Sequence, residues 1–153
     1  MSGHRQQGDF VKQDDKVIAA LRNVSLFEGL DDAALGRIAA QTKPFRFSAG
    51  ASVIDADSAG RFGRLYAVVS GTAEARINDA VVATFGPGDY FGEMSVLDGS
   101  PRSAAIVATT DMETYGLSAW NMRALLREEA DIAMHIIETL VARLRSQNAR
   151  LHD

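Results

Sequence analysis

Between Lys43 and Leu117 no stretch keeps helical periodicity; short apolar or alternating runs follow one another instead. They cover Phe45 to Phe47, Ser52 to Ile54, Leu65 to Val69, Ala73 to Ile77, Val81 to Phe85, Ser103 to Ala108 and Met112 to Gly116. Glycines at positions 50, 60, 63, 71, 86, 88, 92 and 99 punctuate them. Each run is too short for a helix and long enough for a strand, and glycine supplies the turns between them. This spacing predicts a small antiparallel sandwich or jelly roll, the β part of a mainly β, α+β fold.

The flanks have a different period. Residues 1–13 are polar and aperiodic and are expected to form a flexible tail, with a single domain over 14–153. Asp14 and Asp15 can start a helix ending near Asn23, with Val17, Ile18 and Leu21 on one face. Ser25 to Leu30 reads as a turn with apolar anchors, and Asp31 or Asp32 opens a second helix through Ala40 whose Leu35, Ile38 and Ala39 face inward. The roll then occupies 43–117, and 118–153 returns to helix: Ser118 caps a segment to Glu129, and Asp131 is expected to cap a longer helix to about Leu151.

On that last helix Met134, Ile137, Val141, Leu144, Asn148 and Leu151 recur at intervals of 3, 4, 3, 4 and 3. Val141 and Asn148 fall at heptad position a, with Ile137, Leu144 and Leu151 at d, a pattern that favours a parallel two-stranded coil and predicts a homodimer through helix 131–151. The alternative is a seam packed on the chain's own roll, because Ile132, Ile136 and Leu140 form a second stripe. Arg143, Arg145 and Arg150 make the helix end basic, which reads first as a solvated face complementing the helix dipole and second as a contact for nucleic acid or acidic lipid.

The stretch carrying chemistry runs from Gly86 to Ala108. A Gly86-Pro87-Gly88 turn leads into an apolar segment holding Gly92 and Glu93, and a second turn at Asp98 to Pro101 delivers Arg102, nine residues after Glu93. Apolar neighbours predict that both charges are partly buried, and buried charges need partners. Two arrangements satisfy them: an internal ion pair, or an anionic sugar phosphate between them, with the guanidinium fork on phosphate oxygens and the carboxylate accepting from hydroxyls. Gly92 leaves a ligand free to approach the backbone.

At this point the residues resemble a known family. Phe91-Gly92-Glu93-Met94-Ser95-Val96-Leu97 followed by Pro101-Arg102-Ser103-Ala104 is similar, in order, spacing and residue type, to the phosphate-binding cassette of cyclic nucleotide-binding domains, found in catabolite activators, kinase regulatory subunits and cyclic-nucleotide-gated channels. The resemblance extends to Leu26 to Ile38, similar to the family's leading helices, and to Leu65 to Gly71, similar to its central strand and turn. It departs at Asp55 to Gly63, where the family usually places a glycine and then an acidic residue. The resemblance implies a cassette over 91–104 in which Glu93 accepts from a ribose 2′-hydroxyl and Arg102 holds the exocyclic phosphate. Backbone amides around Gly92, Met94, Ser95, Ser103 and Ala104 complete the cradle, and Gln147 and Asn148 are the positions for contacts to the base. Ser103 suits either purine, and the implied ligand is cyclic AMP rather than cyclic GMP.

Composition bounds the alternatives. The 153 residues, 46% hydrophobic and 24% charged, suit one globular domain. No apolar run approaches the roughly 18 residues of a membrane span, so a cytoplasmic location is expected. With no cysteine the chain has neither disulfides nor thiolate chemistry. A net charge of −4, and a chain that reaches Asp153 with no helix-turn-helix, predict no direct DNA binding and point instead to an effector protein or channel as partner. His4, His135 and His152 have no metal-ligand spacing, and there is no Gly-x-Ser-x-Gly elbow, so no enzymatic activity is expected. The competing function is a nucleotide-free, dimerising interaction module.

Overall fold

The computed structural model describes residues 15–54, 63–98 and 104–152, with the side chains of Met94, Ser95, Asp98 and Arg150 to His152 also left undescribed. The expected tail, Asp14, the Asp55 to Gly60 loop and the turn leading to Arg102 lie outside the described residues.

Helix α1 covers residues 15–22. A 3-10 turn at Ser25–Phe27 buries Leu26 and Phe27, and α2 spans Asp32–Ala39. Asp31 is the cap of α2, its carboxylate accepting from the Ala34 amide at 2.8 Å. The roll follows as β1 (Lys43–Phe47), β2 (Ser52–Ile54), β3 (Arg64–Ser70), β4 (Ala73–Ile77), β5 (Ala80–Phe85), β6 (Tyr90–Phe91), α3 (Glu93–Asp98), β7 (Ala105–Ala108) and β8 (Met112–Ser118). It closes with α4 (Ala119–Glu128) and α5 (Ala130–His152). Two antiparallel sheets form, with orders β1-β8-β3-β6 and β2-β7-β4-β5. Pro44 sits on the edge strand β1, where its missing amide donor costs the ladder nothing.

β3 shows how the layers meet. Leu65 and Ala67 face the helices, joining Leu21, Leu35, Met122 and Ile132 in one apolar core; Tyr66 and Val68 face into the roll, joining Phe91 and Met112 in another. Alternation along a strand buried on both faces produces this division. Inside the roll the Tyr66 ring lies edge-on to Phe45 and Phe47, each 5.8 Å away, and 5.4 Å from Phe91. Gly116 is required opposite Phe45: a Cβ there would come within 2.6 Å of the ring.

Two expectations change. The stretch between the Gly86 turn and β7 contains a helix, α3, whose six residues are too few to show a helical period. Asp131 lies in the first turn of α5 rather than capping it; the Glu129 carbonyl, accepting from Ala133 at 3.1 Å, begins that helix. Ser118 does cap α4, its hydroxyl accepting from the Asn121 amide at 3.1 Å.

Candidate functional site

The site is built where β6 turns into α3. Gly88, at φ +90°, closes the preceding turn and passes its carbonyl to the Ser25 amide at 3.1 Å, docking the turn on the 3-10 segment. β6 pairs with β3 through Tyr66–Phe91 and Ala67–Tyr90, which fixes both rings. The chain then reverses at Gly92, whose φ of +92° is open to glycine and strained for other residues. Glu93 therefore opens α3 directly under the apolar layer and is only 7% exposed, with Val96 fully buried one turn later.

A carboxylate so placed needs a cation, and α5 supplies it. Arg143 Nη1 stands 3.2 Å from Glu93 Oε1 and donates to the Tyr90 hydroxyl at 2.9 Å, while the guanidinium carbon lies 5.3 Å from the Tyr90 ring centre. Burial raises the Tyr90 pKa, against the opposing effect of Arg143. Burial acts to lower the Arg143 pKa, but Tyr90 and Glu93 more than offset it, so that guanidinium stays charged. The solvated-face reading holds in part: Arg143 stays 46% exposed, but its guanidinium end packs onto Glu93 and Tyr90. The other end of α3 is held as well. Arg123, from α4, donates through Nε to the Val96 carbonyl and through Nη2 to the Leu97 carbonyl, both at 3.3 Å.

Of the residues expected at the site, the structure places Gly92 and Glu93 at the β6–α3 junction and Ala104, half-buried, beside the roll core just before β7. Arg102 and Ser103 lie outside the described residues, as do the side chains of Met94 and Ser95. Gln147 and Asn148 are exposed on the outer part of α5. Tyr90, Arg123 and Arg143 were missed. A signal for the last existed: Arg143 continues the Ile136–Leu140 stripe at the next helical spacing, a charge on an inward face. Among the described residues, the buried Nε2 of His135 has no hydrogen-bond partner.

The fold and cassette define a class. The chain belongs to the cyclic nucleotide-binding domain family, which matches residues 44–129. It is 27% identical over 138 residues to a CRP-like cAMP-activated global transcriptional regulator of Mycobacterium tuberculosis, covering 87% of this chain and 61% of that protein. It is 32% identical over 135 residues to a cyclic nucleotide-gated potassium channel of Rhizobium etli, covering 88% of this chain and 36% of the channel. Among solved structures, the N-terminal domain of a Streptomyces coelicolor transcriptional regulator superposes with a TM-score of 0.73 at 25% identity, over 86% of this chain and 94% of that one. These relatives are regulators and channels, and the chain spans only part of both full-length proteins. Among the described residues no helix is long and apolar enough to cross a membrane.

Proposed function

We propose that this chain is a regulatory sensor that binds cyclic AMP in preference to cyclic GMP and transmits binding through its C-terminal helices. The observation that carries the reading is the Glu93–Arg143 contact: the carboxylate that would accept the ribose 2′-hydroxyl is the one that anchors α5. Arg102 would hold the phosphate oxygens, with amides around Gly92, Met94, Ser95, Ser103 and Ala104 completing the cradle. Gln147 and Asn148 would reach the base once α5 closes inward. A ligand that engages Glu93 competes with or reinforces the Arg143 contact, and differential binding to the two positions of α5 shifts their populations. Such couplings amount to about 1–3 kcal/mol.

The exposed seam of Met134, Ile137, Val141 and Leu144 supports homodimerisation through α5. The downstream partner would be an effector protein or channel domain in the cytoplasm, reached without direct DNA contact or catalysis. The competing reading is a nucleotide-free interaction module, in which the same Glu93–Arg143 contact is purely structural. Calorimetric titration with cyclic AMP, cyclic GMP and linear AMP separates the two. The sensor reading expects saturable heat with cyclic AMP, weaker binding of cyclic GMP and little with linear AMP; no heat with any of them favours the module. Arg102→Ala is expected to cost about 2–3 kcal/mol of binding, roughly 30- to 150-fold in affinity, in the same titration.

A further inference from the structure

Helix α3 is gripped at both ends by guanidinium groups from the two C-terminal helices, Arg143 of α5 at Glu93 and Arg123 of α4 at Val96 and Leu97. The second contact runs to main-chain carbonyls rather than to a charged side chain. A six-residue helix leaves its last carbonyls without intrahelical partners, and those carbonyls carry the negative end of the helix dipole. Arg123 meets two of them with adjacent donors of one rigid fork, both at 3.3 Å. The apolar contact beneath, Val96 in the core shared with Met122 and Leu125, can slide without losing much; a two-point hydrogen bond to successive carbonyls holds position and angle together.

We propose that Arg123 is a positioning residue that locks α4 to the cassette helix, so that ligand-driven displacement of α3 is passed to α4 through its final carbonyls. This inference rests on the cyclic-nucleotide reading and assigns one residue, Arg123, to that coupling. Among the described residues Arg123 bonds the Val96 and Leu97 carbonyls and not Glu93, so its removal is expected to spare recognition and cut transmission.

The protein carries its own reporter. Trp120 is the sole tryptophan, stands 83% exposed on α4, and lies three residues before Arg123. The experiment titrates the full chain with cyclic AMP, reading affinity by calorimetry, and α4 both by Trp120 emission and by amide hydrogen exchange over 119–128. Wild type is expected to show heat together with a change in α4. Arg123→Met is expected to bind within about threefold of wild type while losing most of the α4 response. Arg123→Lys, which keeps the charge but not the fork, is expected to restore part of that response; should Arg123→Met fail to fold by circular dichroism, the lysine variant carries the test alone. Full wild-type α4 response in whichever variant folds overturns the inference, as does wild-type heat with α4 unchanged. Absence of heat in wild type overturns the ligand reading itself, and this inference with it.

Discussion

Helix α5 carries two apolar stripes that look alike in the sequence and meet opposite fates. Ile132 and Ile136 are 1% and 3% exposed, packed with Leu21, Val24 and the 3-10 turn, and Leu140 is half-buried beside them. Met134, Ile137, Val141 and Leu144, on the neighbouring stripe, are 44–56% exposed. The first stripe belongs to this fold; the second is free to belong to another chain. The difference lies in what the rest of the molecule offers, since both stripes have residues of the same kind at helical spacing.

The largest effect that tests this contrast is on stability. Ile132→Ala is expected to cost about 3 kcal/mol in urea unfolding, and Ile137→Ala under about 0.5 kcal/mol, because only the first empties a packed site. Equal losses would break the comparison. Leu144→Ala next probes the bare stripe: monomer stability should hold, while burial of that side chain across a two-fold contributes about 2 kcal/mol, so the dimer dissociation constant should rise about 30-fold in sedimentation equilibrium. An unchanged constant would place the dimer interface elsewhere or nowhere.

A smaller effect belongs to Arg143, where α5 meets Glu93. Arg143→Ala leaves Glu93 without its α5 partner, and after allowance for the half-exposed guanidinium the loss should be about 1 kcal/mol by thermal melting. Tyr90 adds a pH signature. Its folded pKa lies above the unfolded value, so its stabilising contribution is intact below pH ~10 and is lost as pH rises from there through the folded pKa. Tyr90→Phe should flatten that alkaline decline in melts from pH 8 to 11. The smallest effect concerns His135, whose buried Nε2 lacks a partner among the described residues. His135→Leu should be neutral or stabilising by up to about 1 kcal/mol, and a clear loss in the same melts would mean that the imidazole holds a role its surroundings do not reveal.

Much of the fold was legible in the residues. All seven predicted strands recur, with no end among the described residues shifted by more than two positions, because alternation and glycine placement are local properties. Asp31 and Ser118 cap helices because a short polar side chain before an apolar run satisfies the first amides wherever it occurs. The two-residue strand β6 and helix α3 escaped because neither is long enough to complete a period. Of the candidate site, Gly92 and Glu93 were legible as a turn followed by a partly buried carboxylate, being adjacent in sequence and confined to one junction. Of the arginines that hold α3, Arg143 left a trace by continuing the Ile136–Leu140 stripe, but nothing near Arg123 or Arg143 in the chain names its partner.

The amino-acid order alone determined where strands, turns and caps form, and that a buried carboxylate follows Gly92, since each of these depends on groups within a few residues of one another. Tertiary structure decided which cation answers that carboxylate, which stripe of α5 the protein keeps for itself, and how α4 grips α3. Those partners stand 50 residues apart for Glu93 and Arg143, and 27 and 26 for Arg123 and its two carbonyls. Only the closure of the roll and the return of the last helices across it bring such groups within hydrogen-bonding distance.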